Sequence, residues 1–151
     1  MAKVTVMIGI PASGKSTIAK TLPGIYVCPD EVRKELYGDI SIQGNPKEVF
    51  AIVEDRIRSA IANGKDVVYD ATNTTKYRAN TIAEFRTYGA TEINGIFVLT
   101  PLSVCKMRNG NRKDRPEPVP DDVIERMWAS LKENPPKEED GFDKLTVITD
   151  C

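Results

Sequence analysis

The chain has 151 residues, 40% of them hydrophobic and 28% charged, with a formal net charge of −1. That length supports one domain with its own core, and no apolar run approaches the roughly 20 residues that span a bilayer. The near-zero charge argues against a broad nucleic-acid-coating surface. The absence of histidine removes Ser-His and Cys-His nucleophiles, histidine-bound metals and imidazole bases together.

In chain order, the β-branched run at 3–10, "KVTVMIGI", predicts a strand buried on both faces. "GKSTIAKTL" predicts a helix stopped by Pro23 and Gly24, and 25–28, "IYVC", a second short strand. "PDEVRKELYG" predicts a helix with Asp30 as its N-cap and Gly38 at its end. After the loop "DISIQGN", Val49, Val53, Ile57, Ala60 and Ile61 fall at helical spacing, and Gly64 follows the last turn.

A third strand is expected over 66–72, a helix over "NTTKYRANTIAEFRTYG", and a fourth strand over 92–100. Pro101 opens a further helix, "KDRPEPVP" is a loop, 121–134 is an acid-headed helix, and 144–149 a fifth strand. Strands alternating with helices imply an α/β, three-layer fold with a parallel, roughly five-stranded sheet. Residues 1–151 read as a single domain. In such sheets ligands lie at the carboxyl ends of the strands.

"GIPASGKS" has the spacing Gly-x-x-x-x-Gly-Lys-Ser and the strand–loop–helix context of a phosphate-binding P-loop. The loop from Gly9 through Pro11, Ala12, Ser13 and Gly14 is expected to wrap phosphates with inward amides. Its glycines turn the backbone and a helix N-terminus lies behind it. Lys15 reaches the β- and γ-phosphates, Ser16 ligates Mg²⁺, and Thr17 is a neighbouring donor. The expected ligands are ATP or another nucleoside triphosphate, and Mg²⁺.

Three further features bear on what receives the phosphate. Asp30 and Arg33 share a helix face at a strand's carboxyl end. They read either as a base for a hydroxyl and a phosphate ligand, or as a cap and a solvated charge. Asp70 ends an apolar strand in the Walker-B manner, close to Mg²⁺ or its waters. Thr72, Asn73 and Thr74 after it suit either substrate contact or a helix-capping turn. Arg108, Arg112, Lys113 and Arg115 form a basic segment, about 106–120 with its proline-rich flank, that reads as a small lid over the triphosphate or as a solvated charge run.

Together "IGIPASGKST", "PDEVRKEL", "DATNTTKYRA" and "MRNGNR…PVPDDVIERMWASL" resemble the kinase domain of the T-even bacteriophage 5′-polynucleotide kinases, within the P-loop kinase superfamily. The resemblance implies Asp30 as general base on a 5′-hydroxyl, Arg33 on the adjacent acceptor phosphate, and Asp70 as an active-site carboxylate. Arg112 and Arg108 become lid residues on the donor phosphates. "DATN" carries an alanine where the family more often has Asp-Thr-Asn. "TVITDC" lacks the Asp-x-Asp-Gly-Thr of the family's phosphatase domain, so no phosphatase activity is expected.

The expectation is therefore an ATP- and Mg²⁺-dependent kinase acting on a 5′-hydroxyl nucleic-acid end. Its rival is the same chemistry on a small or modified hydroxyl: a nucleoside, a nucleotide, a hydroxymethylated base in DNA, or a metabolite such as a sugar. A third reading is a regulatory NTPase, although no Asn-Lys-x-Asp guanine signal is present. Without a leader or an apolar span a cytoplasmic location is expected; oligomeric state is not readable. The three cysteines Cys28, Cys105 and Cys151 read as packing residues rather than a disulfide framework, as do Met127 and Trp128.

Overall fold

The first apolar run folds as β1 (Lys3–Ile8), and every residue of it after Lys3 is buried. In the computed structural model, which describes residues 2–38, 44–111 and 118–149, β1 is the middle of a five-stranded sheet. Its other strands are β2 (Ile25–Val27), β3 (Val67–Asp70), β4 (Glu92–Leu99) and β5 (Lys144–Thr149), in the order β2-β3-β1-β4-β5. All four pairings are parallel; Val4 is in register with Val67 on one side and Ile93 on the other.

Side chains alternate across β1, and so does the core. Val4, Val6 and Ile8 face a large cluster. It is completed by α2 (Pro29–Tyr37), α3 (Pro46–Ala62), α4 (Arg78–Thr87), α5 (Leu102–Gly110) and α6 (Asp121–Glu133). Met7 faces the opposite way, onto Val68, Val98 and Ala19 of the short α1 (Lys15–Ala19), with Ile18 and Leu22 alongside. The expected three layers are present, with unequal outer ones. Each fully buried Ile or Val contributes on the order of 1.5–3 kcal/mol, so the α3 stripe Val49, Val53, Ile57 and Ile61 anchors the thicker layer.

Element ends differ from the sequence expectation where local chemistry intervenes. The α1 segment ends at Ala19 because Thr21 and Leu22 donate to carbonyls three residues back, tightening the chain ahead of Pro23. The N-cap of α2 is Cys28, not Asp30: Pro29, with its fixed φ, takes the first helical position and moves Asp30 into the first turn. Gly38 does close that helix, at φ 78°. Asn73 sits at φ 50° and the chain turns at 75–77, where the Arg78 N–H donates to the Thr75 carbonyl, so α4 begins only at Arg78.

Gly95 in β4 has a packing reason. A Cβ there would stand 2.8 Å from the Phe142 ring and 2.9 Å from Leu145 Cδ1, so the missing side chain seats buried Phe142 on the sheet. No helix among the described residues is long and apolar enough to cross a membrane.

Candidate active site

At the carboxyl ends of β1, β2 and β3 a cleft of about 1160 Å³ opens, lined by the loop residues Pro11 to Thr17 and by Asp30, Arg33, Asp70 and Thr72. The loop between β1 and α1 holds an unusual backbone. Ala12 has φ 63° and Gly14 φ 97°, the left-handed region that turns successive amides to one side. Gly9 has no positive φ and is needed for space instead. A Cβ there would lie 2.7 Å from Ser13 Oγ and 3.2 Å from the Val98 carbonyl. The Ser13 carbonyl accepts from Thr100 Oγ1 at 2.7 Å, which ties the loop to the end of β4. Because α1 has only five residues, the loop amides rather than a long helix dipole supply most of the positive field.

Asp70, the last residue of β3, is fully buried at its side chain and gathers the site's polar groups. Its Oδ2 accepts from Ser16 Oγ at 2.7 Å and from the Tyr26 hydroxyl on β2. Lys15 Nζ lies 3.4 Å from Oδ1, an ion pair without hydrogen-bond geometry, and Oδ1 has no hydrogen-bond partner. A serine hydroxyl beside a carboxylate with one bare oxygen is a hard oxygen donor set, and it fits Mg²⁺. Ser13 Oγ is likewise buried without a partner, and it sits in the phosphate loop.

Burial, then the hydrogen bond to Asp70, raises the Tyr26 hydroxyl far above the usual phenol range. Burial, then the charge of Asp70, raises the Cys28 thiol. Tyr26 therefore stays a hydrogen-bond donor, and Cys28, although it lines the cleft, is held as a thiol and is a poor nucleophile.

On the α2 wall, Arg33 Nη1 donates to Asp30 Oδ1 at 2.8 Å. Both side chains line the cleft, that of Asp30 41% exposed and that of Arg33 12%, so the carboxylate is the more open of the two. Arg33 Nε is buried without a partner. Thr72 lines the cleft, and its carbonyl accepts the Gly9 N–H at 3.0 Å. Asn73 is placed apart from the cleft lining: its amide donates to the Met7 carbonyl at 2.7 Å. Arg108 lines the cleft from the last turn of α5. Arg112 and the rest of the basic run at 113–115 lie outside the described residues.

Several contributors carried no sequence signal. Asn109, buried in α5, donates to the Val119 carbonyl at 2.7 Å and accepts from the Val119 N–H at 3.1 Å. It thereby joins the two ends of the expected lid. Arg78 is buried and donates to the Asn73 carbonyl, the Asn134 carbonyl and Asp140 Oδ2 at 2.8–2.9 Å. It locks the turn after β3 to the end of α6. Met127, expected in the core, also lines the cleft, as do Val119, Val123 and Phe50.

A phosphate loop leading from β1 into α1, a carboxylate ending β3 and a cleft at the strands' carboxyl ends define a P-loop NTPase/kinase fold, which implies nucleotide binding. The AAA domain family matches residues 4–134, and the chain belongs to it. The fold is similar to a chain of the Pnkp1/Rnl/Hen1 RNA repair complex, with 24% identity and a TM-score of 0.76, over 87% of this chain and 44% of that one. This chain thus spans less than half of that relative's length. A gluconokinase from Sinorhizobium meliloti 1021 matches at 15% identity and TM-score 0.62, covering 97% of this chain and 82% of the other. Kti12 from Chaetomium thermophilum, solved with ADP-AlF3, matches at 18% identity and TM-score 0.68, covering 97% and 88%. No curated protein matches the chain.

Proposed function

We propose that this protein is a cytoplasmic ATP- and Mg²⁺-dependent kinase that transfers the γ-phosphoryl group to a hydroxyl, that of a 5′-hydroxyl DNA or RNA end. The observation that carries this reading is the Asp30–Arg33 pair, hydrogen-bonded on the same cleft that the phosphate loop, Lys15 and Asp70 line. A regulatory NTPase needs a group that orients water, whereas a kinase needs a base beside an acceptor site.

In this reading the loop amides and Lys15 hold the triphosphate. Arg108, with Arg112, closes the lid segment, about 106–120, over it. Asp30 takes the proton of the acceptor hydroxyl as the hydroxyl oxygen bonds to the γ-phosphorus, and the bond to the β–γ bridging oxygen breaks to release ADP. Arg33 holds an acceptor phosphate and orients Asp30, and Thr72 belongs to the acceptor side, while Asn73, bonded to the Met7 carbonyl, holds the turn behind it. Ser16, with Asp70 behind it, would hold Mg²⁺, and the ion would supply charge neutralisation on the phosphate oxygens. The site does this by positioning and by fixed charge, in keeping with the chemistry of phosphoryl transfer.

Label transfer from γ-labelled ATP tests the proposal. The acceptors are a short 5′-hydroxyl DNA, the matching RNA, a 3′-nucleoside monophosphate, free nucleosides and a hydroxymethyl-base DNA. Label on oligonucleotide 5′ ends, lost in Asp30→Ala, supports the reading. Label on nucleosides or on the modified base alone overturns the acceptor, and hydrolysis without transfer overturns the kinase.

A further inference from the structure

Phe50 breaks the pattern of its helix. The buried stripe of α3 runs through Val49, Val53, Ile57, Ala60 and Ile61, yet the Phe50 ring, one position off that stripe, is 43% exposed. Leaving a large ring in water forgoes about 25 cal/mol for each Å² of apolar surface it fails to bury. The ring lines the same cleft as Asp30 and Arg33, and the Arg33 guanidinium carbon lies 6.0 Å from its centroid. Cys28 and Pro29 line the cleft beside them. Among the described residues, this wall therefore offers one carboxylate, one guanidinium and otherwise apolar surface. A polyol acceptor would call for several hydrogen-bonding groups; a planar base calls for a π face and apolar edges.

We propose that Phe50 is the platform on which the acceptor's nucleobase stacks, making the subsite beside Asp30 specific for a nucleotide-type acceptor. The proposal rests on the kinase reading above and adds to it the residue that recognises the acceptor's base. Arg33, held against both Asp30 and the ring, links base recognition to the position of the carboxylate.

The test compares kcat/KM from γ-labelled ATP for two acceptors that differ only in the base: a 3′-nucleoside monophosphate and the base-less sugar 3′-phosphate. Base–aromatic stacking predicts a ratio of roughly ten to a hundred in the wild type. Phe50→Trp and Phe50→Tyr retain that ratio, while Phe50→Leu and Phe50→Ala bring it close to one. Leucine keeps apolar bulk and lacks a π face, so it separates stacking from simple packing. The ring-bearing variants show that position 50 tolerates change without loss of folding. A wild-type ratio near one, or a ratio unchanged in Phe50→Leu and Phe50→Ala, overturns the platform and leaves the kinase standing. Label on neither acceptor, nor on any oligonucleotide, overturns both.

Discussion

Arg33 Nη1 lies 2.8 Å from Asp30 Oδ1, three residues earlier on α2. The contact turns two residues one turn apart on a short helix into one unit, an exposed carboxylate paired with an arginine side chain only 12% exposed. A charge-assisted hydrogen bond of this kind fixes where the carboxylate points.

Asp30→Asn preserves an oxygen that can accept from Arg33 and removes the capacity to take a proton. General-base catalysis contributes about 10²- to 10⁴-fold, so kcat is expected to fall by that order. Nucleotide affinity, read with a fluorescent analogue, should stay at the wild-type value. A variant with wild-type kcat would remove Asp30 from the role of base.

Gly9→Ala forces a Cβ to within 2.7 Å of Ser13 Oγ and 3.2 Å of the Val98 carbonyl. The Ser13 side chain is able to turn, but the β4 backbone is not. The loop must shift, and its amides lose their aim at the phosphates. Nucleotide affinity by calorimetry is expected to fall tenfold or more, about 1.4 kcal/mol, with the melting temperature changing little. Wild-type affinity would show that the loop relaxes freely.

Two buried phenols contribute to alkaline stability. Burial raises the Tyr69 hydroxyl from 10.0 to about 12, and burial with the Asp70 hydrogen bond raises Tyr26 further. Above pH 10 the unfolded chain releases these protons while the folded one retains them, so unfolding stability falls as pH rises. Below pH 10 neither phenol contributes a slope. Urea titrations at pH 8, 10 and 11 should show the loss, and Tyr69→Phe should flatten it. An equal slope in wild type and Tyr69→Phe would contradict the assignment.

The Arg78 side chain is 3% exposed and pairs with Asp140, 10% exposed, at 2.9 Å. Removing one partner of a buried pair typically costs about 3–5 kcal/mol, so Arg78→Ala should lower the urea midpoint by that equivalent. Arg78→Lys should cost nearly as much, since an ammonium cannot span the Asn73 carbonyl, the Asn134 carbonyl and Asp140 together. If lysine restores stability, the charge alone matters and the fork geometry does not.

The phosphate loop, the five strands and the α3 stripe were legible because each is written in contiguous residues at a fixed spacing. So was the Asp30–Arg33 face, three residues apart on one helix. The Asp30 cap was misread because Asp and Pro compete for the same helix end, and proline at the first helical position moved the cap to Cys28. Gly9 was legible as essential but not for its reason: its backbone is ordinary, and the crowding comes from Val98 on β4.

By itself the sequence determined the α/β alternation, the parallel sheet and the loop that meets a phosphate, since these follow from local periodicity and from one motif. Tertiary structure alone decided what surrounds that loop. Tyr26 reaches Asp70 across 44 residues of chain, Asn109 reaches Val119 across 10, and Arg78 reaches Asp140 across 62. No spacing rule joins such partners. Tyr26 meets Asp70 because the strand order β2-β3-β1-β4-β5 sets β2 beside β3, and the other pairs form because polar groups buried between packed helices and loops must find one another.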